Sequence, residues 1–283
     1  MTQIQIQTIT LNTQEWFYRS VVPQNQRETV PVVFLHGLLA HSYSWRGLLA
    51  DAGEAGLSAY APDWLGEGSS SKPSLREFSY QPSDYITALE EFLLALNLSR
   101  FHLVVQGFVG SMGLQYAFRH RDRVERLVIL NTPLATSARL PWLMRQWGLP
   151  LAGEMLTQDP LLVDRALETG SGYVISEENL GIYRKPFLKN SKAGRSLVAT
   201  MRNLKLTEAM KEIEAGWESW DKPTQIIWGM EDPWLSPEVA ETLAQEKSNI
   251  RLAKLPEAKH YPQEHWTEEI SPILLTFLRQ QIV

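Results

Sequence analysis

Short apolar runs rich in β-branched residues, separated by stretches of helical periodicity, leave this chain few ways to fold. The runs are "VPVVFLHG", "LSAYAPDW", "FHLVVQG", "VERLVILNTP", "TQIIWG" and "IRLAKL". They are apolar almost throughout rather than alternating, which is the pattern of strands buried on both faces of a parallel sheet. Helical patterns between them supply the crossovers that parallel neighbours need. In one of these, Tyr85, Ile86, Leu89, Phe92, Leu93 and Leu96 share a helix face, with Ser83 and Asp84 as candidate caps. The opening is different. "IQIQTITL" alternates with period two and "EWFYRS" follows after "NTQ", so the chain is expected to begin with an antiparallel hairpin. The fold class expected is α/β, a mostly parallel eight-stranded sheet with helices on both faces.

From Pro133 to about Trp220 the alternation lapses. "LPWLMRQWGLP", "DPLLVDRALE" and "GRSLVATMRNL" are helical patterns with no strand between them. Residues 1-132 and 221-283 are therefore expected to form the core domain, with 133-220 inserted into it as a helical cap.

Composition narrows the partners. A formal charge of -5 leaves no broad basic face, so neither nucleic acid nor an anionic membrane is the expected partner. A small ligand, apolar or of mixed polarity, is the first expectation and a protein partner the second. With no cysteine, disulfides and a thiol nucleophile are excluded. The histidines lack ligand spacing such as H-E-x-x-H, so no metal is expected, and no motif calls for a cofactor. No apolar run approaches the roughly 18 to 20 residues of a transmembrane segment. The first residues lack a basic stretch leading into an apolar one, which makes a cytoplasmic address the expectation.

In a parallel sheet, chemistry collects where strands end at their carboxyl side. "HGLL", "DWLGEG", "QGFVG" and "WGMEDPW" stand at such ends, and "EAKHYPQEH" follows the last strand. Taken in order over essentially the whole chain, "VFLHG", "APDWLGEGSSSKP", "WGMEDPW" and "AKHYPQEH" resemble the α/β-hydrolase superfamily. "LVVQ" before the strand-to-helix turn and "YRKPF" at Tyr183 to Phe187 are similar to its haloalkane dehalogenase and epoxide hydrolase branch.

The resemblance implies an α/β-hydrolase fold in which Asp232 orients His260. It also implies that the backbone amides of Leu38 and Phe108 stabilise a developing oxyanion. The family's nucleophile stands on the elbow, in G-x-S-x-G, and that pattern falls on Val105 to Val109, so its position is held by Gly107. Reading "VGSMG" as the elbow puts Ser111 there instead, at the expense of a strand longer than the usual 5 to 6 or so residues. A Tyr-Ala pair that in the family follows the nucleophile at a set distance favours Gly107. In the dehalogenase branch, halide is held by side-chain donors at the positions of Leu38 and Phe108, and neither residue has one.

Bland readings stand beside each of these. Asp232 precedes Pro233 and reads equally as a turn residue, and His260 alone as a structural histidine. Gln106 is either a buried hydrogen-bonding residue or part of the pocket, and Trp64 and Trp234 are either packing or pocket walls. The function expected is a pseudo-hydrolase, a small-molecule-binding or partner-binding protein with a degenerate active site. The alternative is a hydrolase of an ester, epoxide or related substrate, or a lyase, in which the Asp232–His260 pair is general base towards water or substrate.

Overall fold

The computed structural model describes residues 3–23, 29–159 and 161–280. The alternating opening forms the hairpin β1 (Gln5–Leu11) and β2 (Gln14–Val21), paired antiparallel. The continuous apolar runs become β3 (Val32–Leu35), β4 (Ala59–Pro62), β5 (Phe101–Gln106), β6 (Val124–Leu130), β7 (Thr224–Gly229) and β8 (Ile250–Leu255). One eight-stranded sheet results, in the order β1-β2-β4-β3-β5-β6-β7-β8. Every pairing from β4 to β8 is parallel, and β2 is antiparallel to both its neighbours.

Successive side chains of a strand point to opposite faces, and the core divides accordingly. Val33, Leu35, Leu103, Val105, Leu127 and Ile129 join a cluster with α2 (Pro82–Ala95) and α3 (Gly107–Arg119). Val32, Phe34, Val104, Val128 and Leu130 face the other way, onto α1 (Arg46–Glu54) and the C-terminal helix Thr267–Arg279. A strand covered on both faces has no polar side to display, which is why the alternation disappeared from these runs.

The start of α2 differs from the expected cap. Gln81 is the N-cap, Pro82 opens the helix, and Ser83 and Asp84 lie within its first turn. Proline at this position has no N–H to satisfy, so part of the need for a capping side chain is removed. Asp84 instead accepts from the backbone N–H of Ser79, 2.9 Å away.

Between β6 and β7 the chain is helical: α4 (Trp142–Arg145), α5 (Ala152–Leu156), α6 (Leu161–Ser171), α7 (Glu177–Lys189), α8 (Lys192–Asn203) and α9 (Leu206–Ser219). α5, α7 and α9 were not anticipated. α7 carries an internal proline, Pro186, which blurs its periodicity. α9 packs on α3 through Phe118 and Trp217, whose rings meet edge to face at 4.9 Å. The later helices are α10 (Glu238–Glu246) and α11, the C-terminal helix already described. Among the described residues no helix is long and apolar enough to cross a membrane.

Asp63, directly after β4, ties the loops above the sheet together. Its side chain is buried; Oδ1 accepts from the Ser42 N–H at 2.7 Å and Oδ2 from the Ser69 N–H at 2.7 Å. Asp63→Ala would strand two amide donors in a dry environment, and hydrogen bonds to a charged acceptor contribute about 1.5–3 kcal/mol each. The expected result is a loss of about 3 kcal/mol or more, read as a lower urea midpoint at unchanged m-value. A loss under about 1 kcal/mol would mean that the loops are held by packing alone.

Candidate active site

The carboxyl ends of β3, β5, β6 and β7 converge on one small region. His260, in the loop after β8, has its side chain 1% exposed, and that of Asp232, after β7, is 0% exposed. His260 Nδ1 lies 2.8 Å from Asp232 Oδ2. The carboxylate is saturated by other donors as well. Oδ1 accepts from the backbone N–H groups of Trp234 (2.8 Å) and Leu235 (3.1 Å), and Oδ2 from Asn131 Nδ2 (2.8 Å). A carboxylate so held can only accept, so in the neutral imidazole Nδ1 of His260 carries the proton and Nε2 presents a lone pair.

That lone pair faces Gly107. The glycine stands at the junction of β5 and α3 with φ +72°, a left-handed conformation that favours glycine. A Cβ at this position would lie 3.4 Å from His260 Nε2, 3.7 Å from the Leu38 amide nitrogen and 3.0 Å from Gly37 Cα. Gly107, His260 and the Leu38 amide thus surround one point, with Phe108 the next residue of α3.

Aromatic rings wall the imidazole. Phe108 stacks on it with centroids 5.5 Å apart, and Trp234 and Tyr261 meet it edge on at 4.7 and 4.9 Å. Gln106, the last residue of β5, donates from Nε2 to the His260 carbonyl at 2.7 Å. Its Oε1 sits where a Cβ on Gly37 would be, 2.2 Å away, so the loop after β3 needs glycine to come this close. Tyr261 donates its hydroxyl to the Leu38 carbonyl at 2.8 Å, fixing the segment whose amide faces Gly107.

Other sequence candidates lie elsewhere. Trp64 is buried in the core, its indole N–H donating to the His36 carbonyl at 3.1 Å and its ring edge-on to Tyr85. The Trp64 backbone N–H donates to His36 Nε2 at 3.0 Å, leaving His36 a neutral linker between β3 and β4, with its pKa pushed down by burial. Ser111 sits a turn into α3, buried, with its hydroxyl donating to the Phe108 carbonyl at 2.7 Å. That hydroxyl is engaged by its own helix. Among the described residues, no group of three or more His, Cys, Asp or Glu could hold a metal ion.

The family model described as alpha/beta hydrolase fold matches residues 30–265. The chain belongs to the α/β-hydrolase fold family. Among its curated relatives is a haloalkane dehalogenase of Mycolicibacterium paratuberculosis, 32% identical over 214 residues, spanning 72% of this chain and 68% of the relative. Another, from Bradyrhizobium diazoefficiens, is 26% identical over 266 residues and 84% of each protein. The crystal structure of haloalkane dehalogenase DbeA from Bradyrhizobium elkani superposes with a TM-score of 0.86 at 23% identity, covering 98% of both chains. At that identity the superposition speaks for the fold.

Two residues of this region escaped the sequence reading. Asn131, at the end of β6, donates to Asp232 and also exchanges hydrogen bonds with Gly229, accepting from its N–H at 2.8 Å and donating to its carbonyl at 3.1 Å. Its only signal was a polar residue directly after an apolar strand. Glu67 is buried beside the loop that bears Leu38 and Leu39, and burial is the largest influence raising its pKa, to about 8, with the Asp63 charge adding to it. The sign follows. Over the interval from the ordinary carboxylate range up to about 8 the folded protein holds a proton that the unfolded chain releases, so rising pH weakens the fold. Glu67→Gln is expected to flatten that part of a stability-versus-pH curve. An unchanged slope from pH 5 to 8 would count against a buried, neutral Glu67.

Proposed function

We propose that the chain is a hydrolase in which His260, oriented by Asp232, acts as general base on a water held in the space beside Gly107. The observation that carries this reading is the 3.4 Å between His260 Nε2 and the point where a Gly107 Cβ would stand. In the elbow pattern the Cβ of the nucleophile's side chain would occupy that point, with the attacking oxygen just beyond it. With glycine there, a water can take its place within hydrogen-bond reach of the base. His260 Nε2 removes one proton from this water, and the oxygen attacks the carbonyl carbon of an ester or the ring carbon of an epoxide. The charge gathers on the substrate oxygen, where the amides of Leu38 and Phe108 are the donors. The proton then passes from His260 to the departing oxygen.

Relatives named haloalkane dehalogenases support a small, largely apolar substrate. The side chains of Leu38 and Phe108 offer no hydrogen bond to a leaving halide, which favours an oxygen leaving group over a halogen. A second reading, a binding protein without turnover, draws on Phe108, whose ring lies against His260 and narrows the space for substrate.

Turnover on a panel of activated esters, lactones, epoxides and haloalkanes separates the two readings, with quenched reactions analysed by mass spectrometry for adducts. The hydrolase reading expects turnover of an oxygen-leaving-group substrate with no covalent adduct. An adduct on any residue would refute the water mechanism. Saturable binding of panel members without turnover would favour the binding protein.

A further inference from the structure

The stretch from α4 to α5 turns a dense apolar face to solvent. Its inward side chains, Met144 and Trp147, are buried in the core. Between and beyond them Trp142 (63% exposed), Leu143, Leu149, Leu151 (80%) and Met155 (75%) face outward. A lone exposed leucine is ordinary, but five large apolar side chains within one short segment form a patch of the kind that marks an interaction surface.

The backbone holds the tip of this face under strain. Leu151 has φ +63° and ψ −50°, and the Ala152 N–H donates to the Pro150 carbonyl at 2.7 Å. Leu151 is therefore the centre of a γ-turn of the rare, strained kind. A strained leucine in a core is repaid by its packing; this one projects into water. Met155 follows one helical turn later, its N–H donating to the Leu151 carbonyl at 3.1 Å, which puts the two side chains on one side of α5.

Two arginines frame the apolar residues. Arg145 lies over the Trp142 ring, 5.7 Å from its centroid, and Arg139, before α4, donates to the carbonyls of Thr136 and Ala138. Among the described residues neither arginine is in an ion pair, and Glu154, the one acid between residues 139 and 156, is already held by Arg202 at 2.8 Å. The formal charge of -5 speaks against an anionic partner for the surface as a whole. On this face the balance is reversed.

We propose that this face docks the protein on an anionic lipid surface. Leu149, Leu151 and Met155 enter the boundary between headgroups and acyl chains, and Trp142 lies at that boundary, where an amphipathic ring is favoured. Arg139 and Arg145 reach back to the lipid phosphates and carboxylates. Side chains as exposed as Leu151 and Met155 stand as knobs with few neighbours, and a fluid bilayer closes around knobs where a rigid protein partner needs matching holes. A second copy of the chain fits less well, because a two-fold contact through this face would bring the unpaired arginines of both copies together. Docking requires no turnover and does not involve His260.

The test is pelleting of the full chain with vesicles of phosphatidylcholine alone and of phosphatidylcholine with about one third phosphatidylserine. Saturable binding to the anionic vesicles is expected, weakened as salt is raised from about 0.05 to 0.5 M. Arg139→Gln and Arg145→Gln are each expected to weaken it about fivefold. The double variant Leu151→Gly, Met155→Ser is expected to lose about tenfold or more. Glycine accepts the positive φ, so the urea midpoint of that variant should not fall. Ile6→Ser, at a comparably exposed position on β1, is expected to bind as wild type. Wild-type protein that stays in the supernatant with the anionic vesicles overturns the proposal, as does a double variant that pellets undiminished. Sedimentation velocity without lipid supplies the remaining arm: a dimer that the double variant dissociates would give this face to a second copy and also overturn it.

Discussion

His260→Ala is expected to lower turnover of any accepted substrate by about 10²- to 10⁴-fold, the contribution of a positioned general base. The small residue leaves a cavity and strands no donor, since Trp234, Leu235 and Asn131 still donate to Asp232. Asp232→Asn tests the same step through the partner. An amide in place of the carboxylate directs N–H groups at His260 Nδ1 or at Asn131 Nδ2, which are 2.8 Å from the present oxygen and both donors. Relief comes by forcing the imidazole into the tautomer with its proton on Nε2, the atom that must accept. A loss of about 10⁴-fold with little change in binding is expected from such a tautomer switch. The measurement is kcat and KM for both variants on one substrate, with ligand binding measured separately. Wild-type turnover in His260→Ala would remove the base from the mechanism, and a purely KM effect in Asp232→Asn would reduce the pair to a structural role.

Gly107→Ala is expected to be nearly as damaging to activity while leaving the protein folded. At φ +72° a non-glycine residue carries strain of about 1–3 kcal/mol. The added methyl would also press on Gly37 Cα at 3.0 Å. More important is its position 3.4 Å from His260 Nε2, within the volume a base-bound water needs. The expected outcome is a lower urea midpoint by the strain cost and turnover reduced to the level of His260→Ala. Gly107→Ala with wild-type kcat would show that no reacting water sits there. Gly107→Ser makes the complementary case, since its hydroxyl would stand beside Nε2 and a trapped acyl adduct would then be expected with activated esters.

Much of the architecture was written in local pattern. β3, β5, β6 and β7 are buried end to end, and strands with no solvent face are apolar along most of their length, so each could be recognised and its end located. The hairpin was equally plain because β1 keeps an exposed face. Between β6 and β7 the lack of strands was legible, the individual helices only in part. α5 is only 5 residues, and α7 has a proline inside it, and neither length nor period marks such segments.

What the sequence by itself determined was the fold class and the family, and it nominated Asp232, His260 and Gly107 as candidates. These follow from residue types held at strand ends in a fixed order. What only the tertiary structure decided was contact between parts of the chain far apart in sequence. It placed the His260 ring on Asp232, aimed Nε2 at the turn after β5, brought Asn131 to the same carboxylate, and left Glu67 without a partner beneath the helices. Hydrogen bonds of about 3 Å depend on loop paths that no periodicity encodes. The isolation of a buried acid is a property of everything packed around it.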